Sequence, residues 1–373
     1  MSRRVVIAPD SFKGSASAAQ AAAAIAAGWR EVHPGDEVVC VPLADGGEGT
    51  LDAFEAAHPA AERMPVLVTG PDDRVVEAYW LLLPAAPGTG EGAGRTAVVE
   101  LANTSGITLL HPLRPLEAHT LGFGQAVRAA LDHGVGRLVL ALGGSSSSDG
   151  GAGLLTALGA RFVDASGASV APGNGGLAHV VAADVSGLTS VPAGGAVVLS
   201  DVTNPLLGPD GAVAVFGAQK GVERALAPVA EANLARFARL MTEAFGTDPE
   251  TPGAGAAGGT GFALLAWGAE LVAGSAAIGA ELGLPGIVAG ADLVITGEGR
   301  YDDQSEDGKV PGYVRGVAEA AGASTALVAG AIARPPVLFG ASVSLTELAG
   351  SSESARGDAP RWLREAGRRL ASG

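Results

Sequence analysis

The chain has 373 residues, 47% of them hydrophobic and 17% charged, with a formal charge of −15. Length and composition describe a globular protein of about two domains with a sizeable core. They exclude a disordered chain, and a collagen-like one too, because the 57 glycines follow no three-residue period. The negative balance argues against nucleic acid or a membrane surface as partner, and no apolar run reaches membrane-spanning length without proline or charge. The one cysteine, Cys40, cannot form an intrachain disulfide, the six histidines have no metal spacing, and the start is too short for a signal peptide. The expected location is the cytoplasm.

Taken in order, VVIAPDSFKGS is a strand over residues 5–8 ending at Pro9 and Asp10, and Ser15 is placed to cap an Ala-rich helix to about Arg30. EVVCVPLADGGEGT repeats the pattern: a strand, the turn Asp45-Gly46-Gly47-Glu48-Gly49, and a helix to about Ala57. Ligands of α/β sheets gather at the carboxyl ends of strands, so Asp10, Ser11, Lys13, Asp45 and Glu48 are expected at one crevice. PVLVTGPDDRVVEAYWLLL reads as a hairpin turning at Pro71-Asp72-Asp73, and residues 85–95 as a solvated Gly/Pro loop. TAVVELANTSGITLL is a strand running into Glu100, Asn103, Thr104 and Ser105, with a helix through HTLGFGQAVRAALDHG.

The densest motif is GGSSSSDGGAG, residues 143–153, set between the strand GRLVLAL and the helical pattern LLTALGARF. A Gly- and Ser-rich turn opening a helix offers free backbone N–H groups, hydroxyl donors and the positive end of the helix dipole. Asp149 is either the N-cap or faces the same ligand. Residues 163–191 suit a small sheet. AVVLSDVTNPLLGPDGAVAVFGAQKG is a strand ending at Asp201, with Lys220 closing the segment, and a structural helix runs over about 223–245. TPGAGAAGGTG carries Gly253, Gly255 and Gly258 before a helix. No strand leads into it, so it is read as an anion-binding helix N-terminus and not a dinucleotide fingerprint. ADLVITGEGRYDDQSEDGKVPGYV ends a strand at Glu298 and Arg300, and Lys309 opens a helix. STALVAGAI and ASVSLTEL read as strands, and WLREAGRRLASG as a terminal amphipathic helix.

Of 24 basic residues only three are lysines, Lys13, Lys220 and Lys309, each beside a glycine. A compact ammonium in a polar turn suits phosphate or carboxylate.

Eight motifs, APDSFKGS, PLADGGEGT, ELANTSGI, TLGFGQ, GGSSSSDGGAG, DVTNPLLGPDGA with VFGAQKG, GAGAAGGTG and TGEGRYDDQSEDGK, resemble the bacterial glycerate kinase family in order and over nearly the whole chain. The chain departs from the family at Ser146-Ser147-Ser148, where members often have Ala-Thr-Asn. The resemblance implies ATP- and Mg²⁺-dependent phosphorylation of D-glycerate, with 2-phosphoglycerate the favoured product. It also implies an α/β fold of two domains, one flavodoxin- or Rossmann-like with a parallel sheet and a second mixed α/β domain, with the site in the cleft between them. The change of texture near Glu62 and Ala289 assigns residues 1–61 plus 289–373 to the first domain and 62–288 to the second. A small-molecule substrate is the expected partner, and a monomer or small homo-oligomer the expected state.

Phosphoryl transfer asks mainly for positioning and charge neutralisation. The roles inferred from the residues are as follows. Asp45, then Asp149, orients the accepting hydroxyl or takes its proton, with Lys13 and Lys220 beside the transferring phosphate. Gly143, Gly144, Ser145, Ser146, Gly150, Gly151, Gly255, Gly258 and Lys309 hold the nucleotide phosphates. Ser11, Asn103, Ser105 and Arg300 hold the substrate, and Asp201 and Glu298 the metal. The rival readings are a kinase for another small hydroxy acid and a non-catalytic carboxylate or nucleotide binder.

Overall fold

The computed structural model describes residues 2–12, 14–85, 94–305 and 309–373. Lys13 and most of the 85–95 loop lie outside these. The chain divides into two compact units, residues 1–45, 52–57 and 273–373, and residues 46–51 and 58–272. The expected boundary at 289 therefore moves to Ala273: the helices Gly274–Glu281 and Leu284–Val288 pack with Val310–Ala320 of the first unit.

The first unit is built on a five-stranded, wholly parallel sheet. From one edge its strands are Ala341–Ser344, Ser324–Ile332, Leu293–Tyr301, Arg4–Ile7 and Glu37–Cys40. Numbered along the unit this is the 2-1-3-4-5 order of flavodoxin-like sheets, whose direction of winding reverses between the first and third strands. Val5, Val6 and Ile7 are wholly buried, as a parallel strand covered on both faces requires. The first helix is Ala18–Val32, and its N-cap is Ser17 rather than Ser15. Ser17 accepts from Gln20 N while the Gln20 side chain accepts from Ser17 N, a capping box worth on the order of 1 kcal/mol. Ser15 instead donates to the Phe12 carbonyl. This helix crosses the terminal helix Ala359–Ser372 backbone to backbone. A Cβ on Gly28 would overlap the Arg364 carbonyl, and one on Gly367 the Ile25 carbonyl, so small residues set the approach.

The second unit holds a six-stranded mixed sheet. Glu270–Val272, Ala196–Leu199, Arg137–Ala141 and Thr96–Glu100 run parallel, and the hairpin Glu62–Thr69 and Val75–Leu83 adds two antiparallel strands. The hairpin turns through Asp73 in the left-handed region, as its Pro-Asp-Asp turn suggests. The small sheet expected over 163–191 is two-stranded and starts slightly earlier, Arg161–Val163 with Ala182–Asp184, with the helix Asn174–Leu177 between them. With few aromatics, the core is Ala, Val and Leu around Phe123, Phe162, Phe237 and Phe262.

Candidate active site

Two constellations carry the residues selected from the sequence, one in each unit. In the first unit a cavity of about 360 Å³ opens at the carboxyl ends of the parallel strands. Asp10 and Ser11 follow the strand Arg4–Ile7, Asp45 follows Glu37–Cys40, and Glu298 and Arg300 stand near the end of Leu293–Tyr301. The reversal of winding parts the chain here and leaves a crevice that strand-end side chains fill. Lys309 lines the same cavity as the N-cap of the helix Val310–Ala320, which continues through Pro311. Of the predicted groups, Ser11, Asp45, Glu298, Arg300 and Lys309 thus line one cavity. Glu48 is exposed and falls in the second unit.

The cavity wall is short of partners. Ser11 is buried, and its Oγ has no hydrogen-bond partner. Asp10 Oδ1 accepts from Ser11 N at 2.6 Å. Glu298 is buried with Oε1 unpartnered. Ser305 accepts from Asp302 N at 2.9 Å and donates to Glu298. Burial pushes the Glu298 carboxyl up to about 7, with Asp302 and Asp45 adding to the rise and the Ser305 hydrogen bond and Lys309 opposing it. Arg300 pairs with Asp302 at 3.6 Å. The sequence reading missed Thr346, Ser352 and Arg356, which also line the cavity. Thr346 lies where ASVSLTEL was read as a strand, whereas the strand stops at Ser344 and Ser344 caps the helix Leu345–Ala349; Ser352 and Arg356 lie beyond it on the helix Ser352–Gly357.

In the second unit the residues 143–151 lie beyond the strand Arg137–Ala141, and here the groups are buried and bonded to one another. Asp149 has no exposed surface. Its Oδ2 accepts from Thr120 N at 2.9 Å, Thr120 Oγ1 at 2.8 Å and Gly153 N at 3.2 Å, and its Oδ1 from Gly151 N at 3.2 Å. These bonds tie the start of the six-residue helix Ala152–Ala157, whose N-cap is Gly151, to Thr120, the N-cap of the helix Leu121–Asp132. Lys220 is buried below the loop. Its Nζ donates to Ser145 Oγ at 2.6 Å and to the Ser147 carbonyl at 2.7 Å. Burial lowers its pKa to about 7, against a raising effect of Asp149. Ser146 donates to the Ser105 carbonyl at 2.8 Å, and Ser105 Oγ accepts from Phe123 N. Asn174, missed in the sequence as one Asn in a Gly-rich run, donates to the Ser148 carbonyl at 2.9 Å. Asn103 donates to the Tyr79 carbonyl. Ser147 and Ser148 keep buried hydroxyls without partners.

At Gly255 and Gly258 backbone packs closely on the side a side chain would take. A Cβ on Gly255 would overlap the Pro205 carbonyl and one on Gly258 the Ser147 carbonyl, and the Gly258 carbonyl accepts from Gly150 N at 3.0 Å. Ala257, Gly258 and Gly259 are all left-handed, a conformation that costs an alanine roughly 1 kcal/mol. Gly143 and Gly144 sit against Gly47 and Ala102 respectively, and a side chain on Gly151 would meet Ala263. Asp201 lies just past the strand Ala196–Leu199. It and Glu298, expected to share a metal, belong to different units. Among the described residues no group of three or more His, Cys, Asp or Glu is arranged to hold an ion, and no helix is long and apolar enough to cross a membrane.

Comparison with known proteins agrees with the motif pattern. The profile of the glycerate kinase family matches residues 5–372. The glycerate kinase of Bacillus subtilis strain 168 is 42% identical over 336 residues, covering 89% of this chain and 86% of that one. The glycerate 2-kinase of Escherichia coli K12 is 42% identical over 321 residues, covering 85% and 82%. The crystal structure of a Salmonella typhimurium LT2 protein assigned as glycerate kinase 2 superposes with a TM-score of 0.81 at 38% identity, covering 100% of this chain and 98% of that one. With the motifs, the fold and full-length similarity in agreement, the chain belongs to the glycerate kinase family and is a phosphotransferase.

Proposed function

We propose that this enzyme transfers the γ-phosphoryl group of ATP to a hydroxyl of D-glycerate, with 2-phosphoglycerate as the favoured product. The observation that carries the reading is the cavity of the first unit, where carboxylates, cations and an unpartnered hydroxyl converge at the carboxyl ends of the strands. A pure anion binder gains nothing from Asp10, Asp45, Glu298 and Asp302 on one wall. A phosphoryl-transfer enzyme uses such groups to orient an alcohol and to hold a divalent ion.

The accepting hydroxyl lies against Asp45, which orients it and takes its proton as the new O–P bond forms. The bond to the β–γ bridging oxygen breaks, and ADP leaves with the electron pair. Lys309 offsets charge on the phosphate, and the Ser11 hydroxyl is free to hydrogen-bond the substrate. The donor set fits Mg²⁺: Glu298 presents a buried, unpartnered carboxylate oxygen, with Asp45 and Asp302 close enough to raise its proton affinity. Bound there with phosphate oxygens and water, the ion would neutralise charge on the phosphates. In the second unit, the hydroxyls left for the nucleotide are those of Ser147 and Ser148.

The test is ADP release from purified enzyme with ATP and Mg²⁺, given D-glycerate, L-glycerate, lactate or no acceptor, with the product resolved by phosphorus NMR. D-glycerate-dependent turnover is expected. Turnover only with another acid reassigns the substrate, and binding without ADP release overturns the reading.

A further inference from the structure

Among the described residues the cavity of the first unit carries four carboxylates, Asp10, Asp45, Glu298 and Asp302, so an acidic substrate meets an unfavourable wall unless a cation is left over for it. Arg300 is committed to Asp302 at 3.6 Å. Lys309 is a point charge beside Glu298 and lowers that group's proton affinity. Among the described residues the third cation of the cavity is Arg356, an exposed residue on the helix Ser352–Gly357. Its Nε makes a long bond, 3.4 Å, to the Ser352 carbonyl of its own helix. It forms no ion pair among the described residues, and both terminal nitrogens of the guanidinium remain available.

A planar fork with two free N–H₂ groups matches a carboxylate in two parallel, charge-assisted hydrogen bonds, a geometry that lysine does not reproduce. We propose that Arg356 is the specificity-determining residue that holds the carboxylate of the hydroxy-acid substrate, and so selects an acid over a neutral polyol. The proposal rests on the reading of the cavity as the hydroxy-acid site. It assigns Arg356 to binding and leaves proton transfer to Asp45, so its loss acts on KM more than on kcat.

The experiment compares wild type, Arg356→Gln and Arg356→Lys on D-glycerate and on its neutral amide, D-glyceramide, with ATP and Mg²⁺. Arg356→Gln is expected to raise KM for D-glycerate about 100-fold, with kcat within about threefold and KM for ATP unchanged. The preference for acid over amide in kcat/KM should collapse by a similar factor, with Arg356→Lys intermediate. That ratio is independent of the fraction of enzyme folded, so a destabilised variant still reports. An unchanged ratio in Arg356→Gln, with wild type active on D-glycerate, overturns the proposal and leaves the kinase reading intact. A wild type inactive on D-glycerate overturns both.

Discussion

The two constellations use the same vocabulary of Asp, Ser, Lys and Gly, and differ in whether their polar groups have already been answered. Asp149 accepts four hydrogen bonds and has no exposed surface. Lys220 spends its ammonium on Ser145 and Ser147. In the first unit, Glu298 Oε1 and Ser11 Oγ are buried without partners, and Arg356 has no counter-ion among the described residues. Buried polar groups are nearly always satisfied, and the exceptions collect where a ligand completes them. In the polar loop of the second unit the charged groups Asp149 and Lys220 are answered and only the hydroxyls of Ser147 and Ser148 are left over, whereas the cavity of the first unit leaves a carboxylate oxygen and a hydroxyl unanswered.

The sharpest way to break this contrast is to remove one carboxylate from each region. Asp45→Asn should lower kcat about 10³-fold, on the order of 4 kcal/mol of transition-state stabilisation, while the thermal midpoint changes little. Steady-state turnover and a melting curve check both halves. Asp149→Asn should do the reverse in kind. It leaves buried donors of Thr120, Gly151 and Gly153 poorly answered and should cost about 3 kcal/mol of stability by urea unfolding. Equal stability of the two variants would erase the distinction.

Lys220 gives a pH-dependent version. Its folded-state pKa, about 7, lies below the ordinary 10.5, so between these values the unfolded chain binds more protons and stability rises with pH. Raising the pH from 7 to 9 should stabilise wild type by about 2 kcal/mol more than Lys220→Met. Parallel pH profiles for the two would show that the ammonium is solvated. The smallest effect belongs to Ala257. Its left-handed backbone should relax in Ala257→Gly, for a gain of up to about 1 kcal/mol in unfolding free energy without change in KM.

Much of this could be read from the sequence where local rules decide. Strand–turn–helix units and the Pro71-Asp72-Asp73 hairpin were legible because period and turn chemistry act over a few residues. So was the gathering of Ser11, Asp45, Glu298 and Arg300, since each stands near a strand end in a parallel sheet. The capping box at Ser17 and Gln20 was also present in the sequence, although Ser15 was the expected cap. What was hidden depends on long-range packing. That Gly255 and Gly258 pack against the backbone of Pro205 and Ser147, which leaves no room for a side chain, could not be read locally. The surroundings of Asp149 depend on Thr120, 29 residues away, which donates to it twice. Arg356 carried no local signal at all, because only the closing of the sheet brings its short helix to the cavity.

The most direct measurement of where chemistry occurs is hydrogen exchange of the wild-type enzyme with and without saturating D-glycerate. Slowed exchange is expected in peptides covering residues 8–12, 296–302 and 345–356, with little change across 145–153. Protection confined to 145–153, with the cavity peptides unchanged while turnover persists, would contradict the account.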